Sequence, residues 1–273
     1  MLVSAKLAPT FAYPVLERFW RDAEELGFHG VYDYDHFYGL AHTEDTVLEG
    51  WTTLAAMAAV TSRVRIGCLV SCVTFRNPAV LAKMAVTVDH ISGGRLDFGI
   101  GAGWHEAEHH GYGIDYPGPG TRVAMLDEAL TVIRRLWTEE SVTLAGDYYT
   151  LNDAQGEPKP VQRPHPPIVI GGSGPKMLRV IARHADEWNK PVDGNVDEWA
   201  AVSARLDEAC AEVGRDPSQI RRSVQLFLHP AQDGQVEEQL SRLPQFEERG
   251  CQHAVLSFYQ PPTTEQLRRA LPG

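Results

Sequence analysis

The chain has 273 residues, 43% of them hydrophobic and 22% charged, and a formal net charge of -11. That composition is ordinary for a soluble globular enzyme: no apolar run approaches the ~20 residues of a membrane span, and the acidic balance argues against nucleic acid, whose phosphates need a basic face. The start, Met1-Leu2-Val3-Ser4-Ala5-Lys6, lacks a basic segment followed by a long apolar core, so a cytoplasmic location is expected, and the four cysteines, at 68, 72, 210 and 251, form no Cys-x-x-Cys pair and read as reduced residues.

Strand-like and helical segments alternate along the chain, the pattern of parallel strands joined by crossover helices. The predicted strands are Leu2 to Leu7, Gly30 to Tyr34, Val64 to Val70, Leu96 to Ile100, Ile168 to Ile170, Ala185 to Asn189, Val224 to Leu228 and Ala254 to Phe258. Between the first two, Leu16, Phe19, Ala23 and Leu26 make one apolar helical stripe that stops at Gly27; later, Leu126, Leu130, Ile133 and Trp137 make another. Eight such units predict an α/β fold, a single eightfold β/α (TIM) barrel over 1–273, with a doubly wound open sheet as the alternative. The longest interruption, Thr138 to Pro167, is rich in Pro and turn formers, carries Tyr148-Tyr149, and is expected to be a substrate-side insertion loop.

Chemistry is expected at the carboxyl ends of the strands. Asp35-His36 follows the second strand; a carboxylate beside an imidazole suits proton transfer near neutral pH, though a purely structural pair reads the same way. The third strand ends in Leu69-Val70-Ser71-Cys72, and the fourth runs into Gly99-Ile100-Gly101-Ala102-Gly103-Trp104. Gly171-Gly172-Ser173-Gly174-Pro175 stands between a short strand and a helix, where free backbone N–H groups make an anion site; simple turn chemistry gives the same pattern. His105-Glu106-Ala107-Glu108-His109 is a literal His-Glu-x-x-His, the spacing of a zinc hydrolase. It starts directly after a Gly-rich strand end, in the first turn of a helix, so no metal site is expected there. Arg76, Trp188, Asn189 and His229 also fall near strand ends, with packing or solvent roles expected of each.

The run Thr74-Phe75-Arg76-Asn77-Pro78-Ala79-Val80-Leu81-Ala82-Lys83, then Asp89-His90-Ile91-Ser92-Gly93-Gly94-Arg95-Leu96 and the Gly-rich end, resembles the bacterial luciferase-like superfamily, and within it the deazaflavin (coenzyme F-420)-dependent oxidoreductases. The likeness covers nearly the whole chain and is strongest over 33–122 and 164–189. It implies a hydride-transferring oxidoreductase acting on a small organic substrate with a deazaflavin, or alternatively an FMN-dependent monooxygenase on the same fold, and it implies a homodimer; the rivals from other classes are a zinc hydrolase using His105 and His109 and, because fold does not fix function, a non-catalytic flavin-binding protein. It further implies that His36 and Asp35 serve the reactive ring and that a cis peptide joins Leu69 to Val70. Val70 would support the back of the ring, with Ser71, Cys72, Ala102, Gly103 and Trp104 also touching the cofactor and Gly171, Gly172, Ser173 and Gly174 holding its phosphate. One departure is that the sugar-phosphate dehydrogenase branch has a catalytic glutamate directly after the Gly-rich end; this chain has Trp104, leaving Glu106 as the candidate substitute.

Overall fold

The computed structural model describes residues 1–40, 45–232 and 234–271. Among them the strands are β1 (Leu2–Leu7), β2 (Gly30–Asp33), β3 (Arg65–Cys68), β4 (Ser71–Cys72), β5 (Leu96–Gly101), β6 (Ser141–Ala145), β7 (Thr150–Gln155), β8 (Ile168–Gly171), β9 (Glu187–Val192), β10 (Arg221–Leu228) and β11 (His253–Phe258). All except the antiparallel β6–β7 pair join one parallel sheet. β1 pairs with both β2 and β11, and Ile66 of β3 pairs with Leu96 of β5, so the sheet closes on itself. Closure removes the doubly wound alternative and leaves a TIM barrel. The third expected strand is two pieces, β3 and β4, separated by the cis Leu69-Val70 peptide. β9 starts at Glu187 and runs on to Val192, and β10 starts three residues earlier than expected, at Arg221.

The helices form as their sequences dictate. In the helix Tyr13–Leu26, Leu16, Phe19 and Ala23 are buried, and Gly27 ends it in the left-handed region at φ 92°, a conformation without penalty only for glycine. Helix Pro78–Ser92 is capped by Asn77, whose side chain accepts from the Ala79 amide at 2.9 Å. Helix Pro119–Thr138 buries Leu126, Leu130, Ile133 and Trp137 against the outer barrel wall, each contributing roughly 1.5–3 kcal/mol by leaving water. Trp137 Nε1 also donates to the Ala82 carbonyl at 3.1 Å.

The insertion corrects one expectation. It holds the β6–β7 hairpin, and its far end is pinned where strands begin: Gln162 Nε2 donates to the Leu96 carbonyl at 2.7 Å, and Arg65 Nη2 donates to Gln162 Oε1 at 3.1 Å. The preceding helix runs back antiparallel to the strands, so residues 138–167 close the amino-terminal end of the barrel, opposite the substrate side. Among the described residues, no helix is long and apolar enough to cross a membrane.

The apolar core lies between strands and helices. Among the described residues, a second apolar cluster of Tyr32, Leu69, Val169 and Val255, with Val70 packed against it, lies inside the barrel. Below it, His253 bridges Glu187 and Ser4, both at 2.8 Å, and Tyr32 Oη donates to Asp97 at 2.7 Å. Above it, at the carboxyl ends of the strands, the barrel opens into a cavity of about 1080 Å³.

Candidate active site

The cavity is walled by chain that leaves β1, β2, β4, β5, β8, β9, β10 and β11. His36 lies in it, just past β2. Its Nδ1 is 2.8 Å from Oε2 of Glu108, a fully buried carboxylate on the short helix Glu106–Gly111. The other Glu108 oxygen accepts from the Phe37 and Tyr38 amides at 2.5 and 2.9 Å. Burial alone pushes the Glu108 carboxyl up, but the His36 hydrogen bond and charge and the two amides together bring it below its ordinary value. Glu108 is therefore ionised and can only accept, so His36 carries its proton on Nδ1 and keeps Nε2 for exchange with the cavity.

This arrangement corrects two assignments. Asp35 does not serve His36: its carboxylate accepts both terminal nitrogens of Arg76, at 2.6 and 2.9 Å, and the Cys72 amide at 3.1 Å. Arg76 bridges onward to Glu49, whose carboxylate caps helix Gly50–Val60, so Asp35 ties the His36 loop to β4. Glu106 does not face the cavity either. Its side chain is 62% exposed and lies 3.8 Å from His110. Residues two apart on a helix stand about 200° apart, so with Glu108 inward Glu106 must face out.

The opposing walls are built from the expected strand ends. Leu69, Val70, Ser71 and Cys72 line one side and Gly101, Ala102, Gly103 and Trp104 the next, and the peptide between Leu69 and Val70 is cis. The Ser71 hydroxyl accepts from Trp51 Nε1 at 3.0 Å. At Gly103, φ is +76° and an added Cβ would stand 2.5 Å from Cys72 Sγ, so only glycine lets these walls meet. Burial pushes the Cys72 thiol up to about 11, which keeps it protonated. Trp104 is 62% exposed at the rim, its ring centroid 5.6 Å from that of His36.

Gly171 and Gly172 line the cavity; Ser173 and Gly174 lie beyond it, Gly174 capping helix Pro175–His184. Gly172 has φ +134°, and a Cβ there would meet Met177 Cγ at 2.6 Å. Trp188, buried, holds this loop by donating Nε1 to the Gly172 carbonyl at 2.8 Å. Asn189 and His229 also line the cavity; Asn189 donates to Ser223 Oγ at 3.0 Å and His229 stacks on Tyr259 with centroids 4.1 Å apart.

Of the two His-Glu-x-x-His imidazoles, His105 lines the cavity and His109 is held by other groups. His109 Nδ1 donates to the His105 carbonyl at 2.8 Å and its Nε2 meets Thr74 Oγ1 at 2.6 Å, so both ring nitrogens are engaged. Among the described residues, no group of three or more His, Cys, Asp or Glu side chains is placed to hold a metal ion. The reading of the sequence missed Glu108 as the partner of His36, and missed Lys6, Tyr34 and Gln225 on the cavity floor. A lone lysine inside β1, among residues otherwise uncharged, was the available signal for the floor.

The family described as luciferase-like monooxygenase matches residues 4–270. An uncharacterized protein of Mycobacterium tuberculosis is 39% identical over 171 residues, which are 62% of this chain and 58% of that protein. A protein of Kineococcus radiotolerans named F420-dependent glucose-6-phosphate dehydrogenase is 33% identical over 223 residues, 81% of this chain and 65% of that one. The matches thus span about three fifths of the length of these curated relatives. Among solved structures, an F420-dependent secondary alcohol dehydrogenase in complex with an F420-acetone adduct superposes with a TM-score of 0.87 at 22% identity, covering 100% of this chain and 99% of that one.

Proposed function

The chain belongs to the luciferase-like monooxygenase family, and from that premise we propose that it is an oxidoreductase that holds the deazaflavin coenzyme F420 in the barrel cavity and moves hydride between it and a small organic substrate. The observation that carries this reading is the His36–Glu108 pair, suited to proton handling, which faces the cavity across from the glycine-rich strand ends. The residues present fit such a cofactor. Gly101 and Gly103, with the Val70 side chain packed close against Gly101, form a close-set wall suited to a flat ring, and Gly171 and Gly172 offer backbone beside a helix N-terminus, suited to a phosphate. When bound, the cofactor supplies the ring that accepts or donates hydride.

The chain's own residues do the rest. Glu108 fixes the His36 tautomer, and His36 Nε2 gives or takes the proton that accompanies hydride movement. Arg76, holding Asp35 and Glu49, keeps the His36 loop against β4. Phe11, Leu40, Phe227 and Phe258 limit water in the cavity. Glu106, facing solvent, has no part in this scheme, and Trp104 replaces the carboxylate of the sugar-phosphate branch. A homodimer belongs to the same reading and is checked by sedimentation.

The test is titration of purified protein with coenzyme F420 and, separately, with FMN. Tighter binding of F420 is expected. Binding of FMN alone would replace this reading with that of a flavin-dependent enzyme on the same fold.

A further inference from the structure

We propose that Lys6 is a charge-sensing contact on the cavity floor, one that makes the protein bind the reduced form of its cofactor more tightly than the oxidised form. The proposal rests on the cofactor reading above and adds to it a residue that neither the dyad nor the glycine walls involve.

Lys6 is a β1 residue whose side chain points inside the barrel, only 5% exposed, and it lines the cavity. Its ammonium donates to the Leu69 carbonyl at 2.6 Å, the carbonyl of the cis peptide that shapes the cavity wall, and to Gln225 Oε1 at 3.3 Å. An ammonium has three N–H donors, and these two bonds leave the third for an occupant of the cavity. Both partners are neutral, so neither cancels the charge. Of the acids nearby, Asp35 is held by Arg76 and Glu108 by His36, and burial pushes the Asp33 carboxyl well above its usual range. Among the described residues lining the cavity, Lys6 is the one lysine or arginine. Burial brings its ammonium down to about 8, so at neutral pH it remains mainly charged.

Hydride addition to a ring without an accompanying proton transfers two electrons and one proton equivalent, and makes the ring more negative by one unit. A cation held in a water-poor floor interacts more strongly with that form than with its precursor. Differential binding of the two forms shifts the redox equilibrium of the bound cofactor toward reduction.

The experiment measures dissociation constants of oxidised and reduced coenzyme F420 for the wild-type protein and for Lys6→Met and Lys6→Gln, with circular dichroism to check folding. Wild type is expected to prefer the reduced form, and both variants to lose that preference by about tenfold, equivalent to a midpoint potential about 30 mV lower for the bound cofactor. Lys6→Gln retains a donor for the Leu69 carbonyl and separates charge from packing. Equal weakening of both forms, or an unchanged ratio, overturns the role of Lys6 and leaves the cofactor reading intact. If FMN binds instead of F420, the cofactor reading fails, and the same ratio measured with oxidised and reduced FMN decides the role of Lys6. Binding of neither overturns both.

Discussion

His36 and Glu108, 72 residues apart in sequence, meet at 2.8 Å between Nδ1 and Oε2. The same carboxylate also accepts the amides of Phe37 and Tyr38, so a single buried charge orients the imidazole and holds the loop that carries it. On the proposed function such a site separates into a residue that handles protons and a residue that positions it, and the two have different signatures.

Replacing His36 with Asn should lower turnover by roughly a hundredfold or more, the scale of a lost general acid or base, while cofactor affinity changes little. Steady-state kinetics beside a cofactor titration reads both quantities. Turnover near that of wild type with the cofactor bound would reduce His36 to a structural residue.

Glu108→Gln removes the charge and keeps the size. At pH 7 the variant should be less stable by about 1.5 to 3 kcal/mol, the range for hydrogen bonds to a charged group. The folded carboxyl lies below its ordinary value of 4.5, so its contribution is complete above that pH and is lost as pH falls through the lowered folded value. Urea unfolding at pH 7 and again below pH 4.5 should therefore show the gap between variant and wild type narrowing in acid. A gap that widens in acid would contradict the assignment.

Arg76→Met leaves the Asp35 carboxylate buried without its cation. Removing one partner of a buried pair costs about 3 kcal/mol or more, which in a chain of this size lowers Tm by roughly 6 to 12 °C. Calorimetry checks this, and a Tm within one or two degrees of wild type would show that solvent or another residue replaces the guanidinium.

The phosphate proposal is best tested at Gly171. Gly172 has φ +134° and its Cβ would strike Met177, so any side chain there confounds binding with strain. At Gly171 a Cβ meets its nearest neighbour, the Asn189 carbonyl, at an ordinary 3.6 Å. Gly171→Asp should weaken cofactor binding by about 1 to 3 kcal/mol with little change in Tm. Unweakened binding would mean that the phosphate lies elsewhere.

Much of the molecule was legible in the residues themselves. Periodicity, Gly27 and Asn77 marked the helices, and the strand ends at Val70, Gly101 and Gly171 marked the cavity walls, because these depend on local geometry that a short window of sequence carries. Even so, the Asp35-His36 dipeptide suggested a pair that does not form, since adjacent residues beyond a strand turn to different surroundings.

What the sequence by itself determined was therefore the eight barrel strands, their parallel direction and which strand ends open on the cavity. Only the tertiary structure decided the partners: Asp35 with Arg76, His36 with Glu108 rather than Asp35, Glu108 inward and Glu106 outward, Lys6 against the Leu69 carbonyl, and the 138–167 insertion at the barrel's amino-terminal end. Each of those outcomes turns on barrel closure, which brings together groups dozens of residues apart and sets the direction each side chain must face.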